Sequence, residues 1–226
     1  MIYMIHSCNS RLWYVNRYLI PDMLAQGIPL ESIILFNDFL AEGNQKAFYN
    51  SCVYIKNNLS PSEGIWHLTD DVIVSYDFYH RTSRVPNNLN IRCGFVTNAF
   101  NPRNKKYTGT QPFSKVWRSF PCIYIPNKYL AEFVDWYDAY DPTKTCYKRV
   151  KKEFEGGKDD DTLFLAFITN KHPSIRTVNI TPNLVDHIDY LIGGSTLFSR
   201  KQKIHRACYL SDIDKNRVRA LADKLK

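Results

Sequence analysis

The sequence predicts a single α/β domain in which a Rossmann-like, mixed but mostly parallel sheet is flanked by helices. Three observations carry this expectation. Short apolar runs alternate with stretches of helical periodicity through the first third of the chain, the pattern of strand–helix–strand units. The 226 residues suffice for one well-buried core. Finally, 44% hydrophobic and 14% aromatic residues mark a chain that buries such a core rather than staying disordered.

Residues 1–5 are apolar and read as the first strand, ended by the polar cluster His6, Ser7, Cys8, Asn9, Ser10 and Arg11. Leu12, Val15, Leu19, Met23 and Leu24 then recur at helical spacing up to Gly27, with Pro21 imposing a kink or a split into two helices. Residues 31–36 form a second buried strand, closed by Asn37 and Asp38, and residues 42–58 a helix. A turn over 61–64 leads into the apolar run 65–68, a third strand, which Asp70 and Asp71 interrupt before residues 72–74 resume it. Ligands of such sheets gather beyond the carboxyl ends of the strands. The 6–11 loop, Asn37 with Asp38, and the Asp70–Asp71 pair should therefore converge on one crevice.

The alternation weakens after residue 78. A strand is expected within 93–98, a basic loop over 101–111 with Arg103, Lys105 and Lys106, a strand over 119–125 and a helix over 126–140. Residues 141–158 read as a polar excursion at the edge of the site, carrying Lys144, Lys148, Arg149, Lys151 and Lys152. Asp159, Asp160 and Asp161 open a buried helix over 163–168, where they either cap it or supply a base. His187 lies between Pro182 and the Gly193–Gly194 turn, placed either to pack in the core or to reach a metal. Residues 1–195 are read as the catalytic domain and 196–226 as a basic tail, with Arg200, Lys201, Lys203 and Arg206, that is a solvated face or folds over the site to clamp an anion.

Chemistry concentrates at Asp70 and Asp71. Adjacent carboxylates raise one another's pKa and burial raises both, so a buried pair calls for a compensating cation. A hard divalent ion does this, taking carboxylate oxygens from the protein and filling its remaining positions with water and substrate phosphate. The alternative is a solvated turn between two strands. The formal charge of +8 and a pI near 9.1 favour an anionic partner such as nucleotide phosphate or nucleic acid. Six scattered cysteines without a Cys-x-x-Cys spacing speak against a zinc cage. With no apolar run of membrane-spanning length and no signal-peptide pattern, the expectation is reduced thiols in a cytoplasmic protein without a membrane partner.

With these residues placed, the chain resembles the GT-A class of nucleotide-sugar glycosyltransferases, especially small bacteriophage-encoded members. Thr69-Asp70-Asp71-Val72 is similar to the class's DxD region in its adjacent-acid form, and Thr181-Pro182-Asn183-Leu184-Val185-Asp186-His187 to its late Pro-x-Leu-Val-x-His segment. Gly156-Gly157-Lys158-Asp159-Asp160-Asp161 is similar to its late acidic motif, with Lys158 where relatives often carry Glu. The resemblance implies that Asp71 and His187, with Asp70 toward metal and ribose, bind Mn2+ or Mg2+. It further implies that His6, Ser7, Asn9, Arg11, Asn37, Asp38 and Asp70 hold the nucleoside-diphosphate sugar, a UDP-sugar first. Lys201 and Lys203 would reach its phosphates, and one of Asp159, Asp160 and Asp161 would act as base in an inverting enzyme. Phage members of the class include enzymes that glycosylate hydroxymethylated bases, which implies double-stranded DNA as an acceptor, with Trp117 and Trp136 available for stacking. Three rival readings stand beside this: the same transfer onto a saccharide, lipid or protein; a glycoside hydrolase using Asp71 with one acid of the 159–161 cluster; and a non-catalytic basic nucleic-acid-binding domain.

Overall fold

A computed structural model of the chain describes residues 1–85, 90–95, 109–112, 120–139, 160–193 and 210–225. Its centre is a seven-stranded sheet built from β1 (Ile2–Cys8), β2 (Ile33–Asp38), β3 (Gly64–Thr69), β5 (Ile91–Cys93), β6 (Gly109–Pro112), β7 (Cys122–Pro126) and β8 (Arg176–Asn179), in the order β2-β1-β3-β7-β5-β8-β6. The β2–β1, β1–β3 and β5–β8 pairings are parallel, and β7 and β6 run against their neighbours, so five of the seven strands point one way. The expected α/β class with a mixed, mostly parallel sheet is the class the chain adopts. Beside it stands a two-stranded antiparallel ribbon of β4 (Val72–Val74) and β9 (Val185–His187).

Helices cover both faces, which is why the strands are continuously apolar rather than alternating. In β3, Ile65 joins one cluster with Met4, Phe48, Ile123, Phe133 and Phe164, while Trp66 and Leu68 join the other with Tyr3, Ile5, Tyr14 and Val72. The first face is roofed by α3 (Asn44–Asn58), α5 (Asn127–Asp138) and α6 (Asp160–Lys171); α5 buries Leu130, Phe133 and Val134 and leaves Tyr137 half-buried against the same core. The second face carries α1 (Leu12–Tyr14) and α2 (Ile20–Ala25), joined by one π-turn, Val15–Leu19, in which the Ile20 N–H reaches back to the Val15 carbonyl. The break expected at Pro21 is thus a widened turn just ahead of the proline.

Several expectations need correction. β2 is an edge strand, half-buried along its length with Leu35 on the surface, not a second buried strand. The end of the expected 101–111 loop is the edge strand β6. Much of the expected charged tail is a helix, α8 (Asp212–Lys224), following the short α4 (Phe78–Thr82) and α7 (Asp189–Ile192). Ser211 caps α8 by accepting from the Asp214 N–H, and Val218 and Leu221 pack into the second face. Arg217 ties α8 down, donating to both carboxylate oxygens of Asp22 (2.7 and 2.5 Å) and to the Val74 carbonyl (2.6 Å). Among the described residues, Cys8, Cys52, Cys93 and Cys122 are free thiols, and no helix is long and apolar enough to cross a membrane.

Candidate functional site

The parallel β1–β3 pairing, with His6 opposite Thr69, puts the loop after β1 beside the two acids that follow β3. The antiparallel β4–β9 pairing sets Val72 opposite His187, and the Ile188 N–H donates to the Asp71 carbonyl at 2.8 Å. Four side chains from three distant segments therefore meet: Arg11, Asp70, Asp71 and His187. Both acids are almost fully buried, at 4% and 6% exposure, so the pair is not a solvated turn.

The acids are compensated from within the protein. Arg11 Nη1 donates to Asp70 Oδ1 at 2.8 Å and to Asp71 Oδ2 at 2.7 Å, while Arg11 Nε donates to the Gly193 carbonyl at 3.2 Å. The Cys8 N–H donates to Asp70 Oδ2 at 3.1 Å, and the Thr69 hydroxyl to Asp71 Oδ1 at 2.7 Å. His187 Nε2 stands 3.1 Å from Asp71 Oδ2, with Asp189 3.6 Å from its Nδ1. Burial opposes ionisation of Asp71 most strongly. The combined pull of His187, Arg11 and Thr69 nevertheless outweighs it, and the carboxyl titrates well below the usual carboxylate range. Burial and the neighbouring Asp71 charge raise Asp70 against the pull of Arg11 and Cys8, so of the two it is the easier to protonate. Burial lowers the His187 pKa, but attraction to Asp71 and Asp189 exceeds that effect and leaves it raised.

The donor set suits a hard cation that takes most of its shell from substrate. Asp71 Oδ2 and His187 Nε2 stand 3.1 Å apart as an ion pair, and the same two atoms would be the protein's donors to such a cation. These are two converging donors rather than a closed cage, and among the described residues no three ligating side chains form a preformed metal cluster. Asp70 directs both oxygens to Arg11 and Cys8.

The remaining expected site residues divide clearly. Asn37 donates to the Asn9 side chain at 2.7 Å, and Asn9 to the Phe39 carbonyl at 3.4 Å, which links the loops after β1 and β2 at the exposed lip of the site. Asp38 accepts from the Glu42 and Gly43 N–H groups, both at 3.0 Å, and so shapes the loop into α3. Ser7 is buried, its hydroxyl donating to the Cys8 carbonyl. His6 is turned into the first-face core: its ring lies 4.9 Å from that of His67 and within 6 Å of Phe36 and Phe48, and its buried Nε2 has no hydrogen-bond partner.

Asp160 and Asp161 open α6, with the Asp161 N–H bonded to Asp160 Oδ1 at 2.9 Å. Phe164, one turn on, packs on Phe48 and Phe120, and His172, past the far end, packs on Tyr129, close to where Pro126 pairs with Gly64 at the start of β3. The helix therefore runs antiparallel to β3, and its acidic end stands at the same sheet edge as Asp70 and Asp71. Asp159, Lys201 and Lys203 lie outside the described residues, as do the basic segments 103–106 and 148–152, Arg200, Arg206 and Trp117. Trp136 packs against Phe133 and Phe167 on the first-face core. Sequence reasoning missed Thr69, Asp189 and the carbonyl of Gly193. Thr69 and Asp189 were discoverable as polar neighbours of Asp71 and His187; the carbonyl leaves no trace in a sequence.

No protein-family model matches the chain, and no match is found among curated proteins. Among solved structures, the chain is similar to the glycosyltransferase GlyE of Streptococcus pneumoniae TIGR4, at 12% identity and a TM-score of 0.44 over 79% of this chain and 45% of that one. It is similar to the galactosyltransferase LgtC in complex with donor and acceptor sugar analogs, at 13% identity and a TM-score of 0.45 over 100% and 96% of the two chains. It is also similar to a glycosyltransferase involved in glycosylation of the major capsid of PBCV-1, at 10% identity and a TM-score of 0.37 over 84% and 83%.

Proposed function

We propose that the chain is a glycosyltransferase of the GT-A type that moves a sugar from a nucleoside-diphosphate sugar, a UDP-sugar first, to a hydroxyl acceptor with the help of Mn2+ or Mg2+. The observation that carries this reading is the buried convergence of Asp71 and His187, 3.1 Å apart, beyond the carboxyl ends of β1 and β3. A cation bound there supplies Lewis-acid neutralisation of the charge that grows on the diphosphate as the glycosidic bond breaks. Asp71 and His187 would hold it, with Thr69 and Asp189 orienting those two side chains. Asn9 and Asn37 line the lip where a nucleoside enters, and Lys201 and Lys203 are assigned to its phosphates. In the inverting form of the reaction the acceptor oxygen bonds to the anomeric carbon, the diphosphate leaves with the bonding pair, and the acceptor proton passes to a carboxylate of Asp159, Asp160 or Asp161.

The +8 charge favours a polyanionic acceptor, and hydroxymethylated bases of double-stranded DNA are the acceptor assigned here. Thermal shifts across a panel of nucleotide-sugars with and without Mn2+ test the donor, because a ligand bound only by the native state raises the melting temperature. A panel without any metal-dependent shift refutes the donor assignment. Binding to plain and hydroxymethylated duplexes across a salt series tests the acceptor: a steep loss of affinity with salt is expected, and negligible binding at low salt redirects the search to saccharide, lipid or protein acceptors.

A further inference from the structure

Arg11 does more than the nucleoside-loop role its position suggests. One nitrogen, Nη1, bonds to both acids, and it shares Asp71 Oδ2 with His187, the very oxygen that would face a divalent ion. A guanidinium at 2.7 Å from that oxygen and a metal bonded to the same oxygen would repel one another at close range. Both carboxylates are buried, and a buried charge stripped of a partner is strongly disfavoured, so the pair needs a positive neighbour in addition to its hydrogen bonds. Beside the His187 imidazole, one further positive group must therefore face the pair, and there are two candidates for that position.

We propose that Arg11 is an internal counter-ion that occupies the cation position of the Asp70–Asp71 pair until a divalent metal arrives with the nucleotide, whereupon its guanidinium transfers to the diphosphate. This rests on the metal-dependent reading above and adds to it an order of events. Metal alone competes with a tethered cation and binds weakly. Metal with nucleoside diphosphate binds well, because the displaced guanidinium gains a phosphate partner that suits its planar fork. The remaining Arg11 hydrogen bond, Nε to the Gly193 carbonyl, is to a neutral acceptor and does not involve either acid. The coupling makes metal and nucleotide mutually dependent ligands, as reciprocity of binding free energies requires.

The test uses Mn2+ alone as probe, titrated into wild type and Arg11→Gln while the free-ion electron paramagnetic resonance signal is followed. Arg11→Gln is expected to bind Mn2+ about tenfold or more tightly than wild type in the absence of nucleotide, and to show the larger thermal stabilisation by the metal. Adding UDP should tighten Mn2+ binding in wild type far more than in the variant. Equal Mn2+ affinities with and without UDP overturn the exchange while leaving the metal reading intact. Absence of Mn2+ binding in both proteins, with UDP present, overturns the metal reading itself. Should Arg11→Gln fail to fold, the wild-type Arg11 Nε–H resonance, assigned through Arg11→Lys, decides the same question: it must move on addition of Mg2+ with UDP, and a resonance that stays put refutes the displacement.

Discussion

Lowering the pH from 6.5 to 4 should destabilise this protein through two imidazoles, the half-buried His6 and the buried His67, that take no part in the proposed chemistry. His6 and His67 face one another across β1 and β3, and the Nε2 of each is buried with no hydrogen-bond partner. Burial pushes the His6 pKa from 6.5 down to about 4 and holds His67 well below its ordinary value, with the nearby His6 lowering it further. Between pH 6.5 and 4 the unfolded chain therefore takes up protons that the folded chain refuses, and stability falls as pH falls. At about 1.4 kcal/mol per pH unit of separation, His6 alone removes about 3 kcal/mol by pH 4. Asp71, with its depressed pKa, loses its contribution only below the ordinary carboxylate pKa near 3.8, outside this window. The raised pKa of His187 acts oppositely: its contribution is complete below 6.5 and is lost as pH rises through its folded value. Urea midpoints at pH 7 and pH 4 for wild type and His6→Phe isolate the effect, since Phe suits the surrounding aromatic rings and carries no titrating group. The variant should retain about 3 kcal/mol that wild type loses. An identical pH dependence in both, or a variant that loses nucleotide binding at unchanged acid sensitivity, refutes the core assignment and returns His6 to the nucleoside site.

Three further outcomes are expected. Asp71→Asn should lower transfer about a thousandfold or more, equivalent to ~4 kcal/mol of lost transition-state stabilisation, with circular dichroism unchanged; single-turnover assays at saturating Mn2+ measure it. Gly64→Ala places a Cβ 2.4 Å from the Tyr124 hydroxyl and should cost about 1–3 kcal/mol by overpacking, with partial recovery in a Tyr124→Leu background under chemical denaturation. Arg217→Met removes the Asp22 and Val74 contacts and should cost about 2 kcal/mol, read from the melting temperature.

The parts of the fold legible in the sequence were those governed by local pattern. The apolar runs gave β1, β3 and β7, and helical spacing gave α3 and α5, because a strand buried on both faces and an amphipathic helix each leave a periodic signature. β2 carries the same apolar residues yet lies at the sheet edge; sheet order is decided by crossovers, which composition does not encode. The tail resembled a solvated charge run because its apolar anchors, the buried Val218 and Leu221 with the half-buried Leu210 and Leu225, are spread among charges, and the Arg217–Asp22 tie spans most of the chain. At the candidate site, Asp70 and Asp71 stood out by type and adjacency, and His187 by its place between Pro182 and the Gly193–Gly194 turn and by the family resemblance. Their shared partner Arg11 was placed correctly in the loop, but its role was hidden, since a loop arginine and a buried counter-ion look alike until the fold brings the acids to it.

The clasp between the Asp71 carbonyl and the Ile188 N–H, with Val72 beside His187, sets a timetable for synthesis. A ribosome adding about 5–20 residues per second exposes the acids roughly ten seconds before the imidazole exists. Throughout that interval Arg11 is their sole companion of opposite sign among these four side chains, and the proposed cation site lacks its imidazole donor. On the proposed metal-dependent reading, transfer should appear all at once, when the ribbon zips shut, and a chain arrested anywhere before residue 187 should be silent rather than feeble.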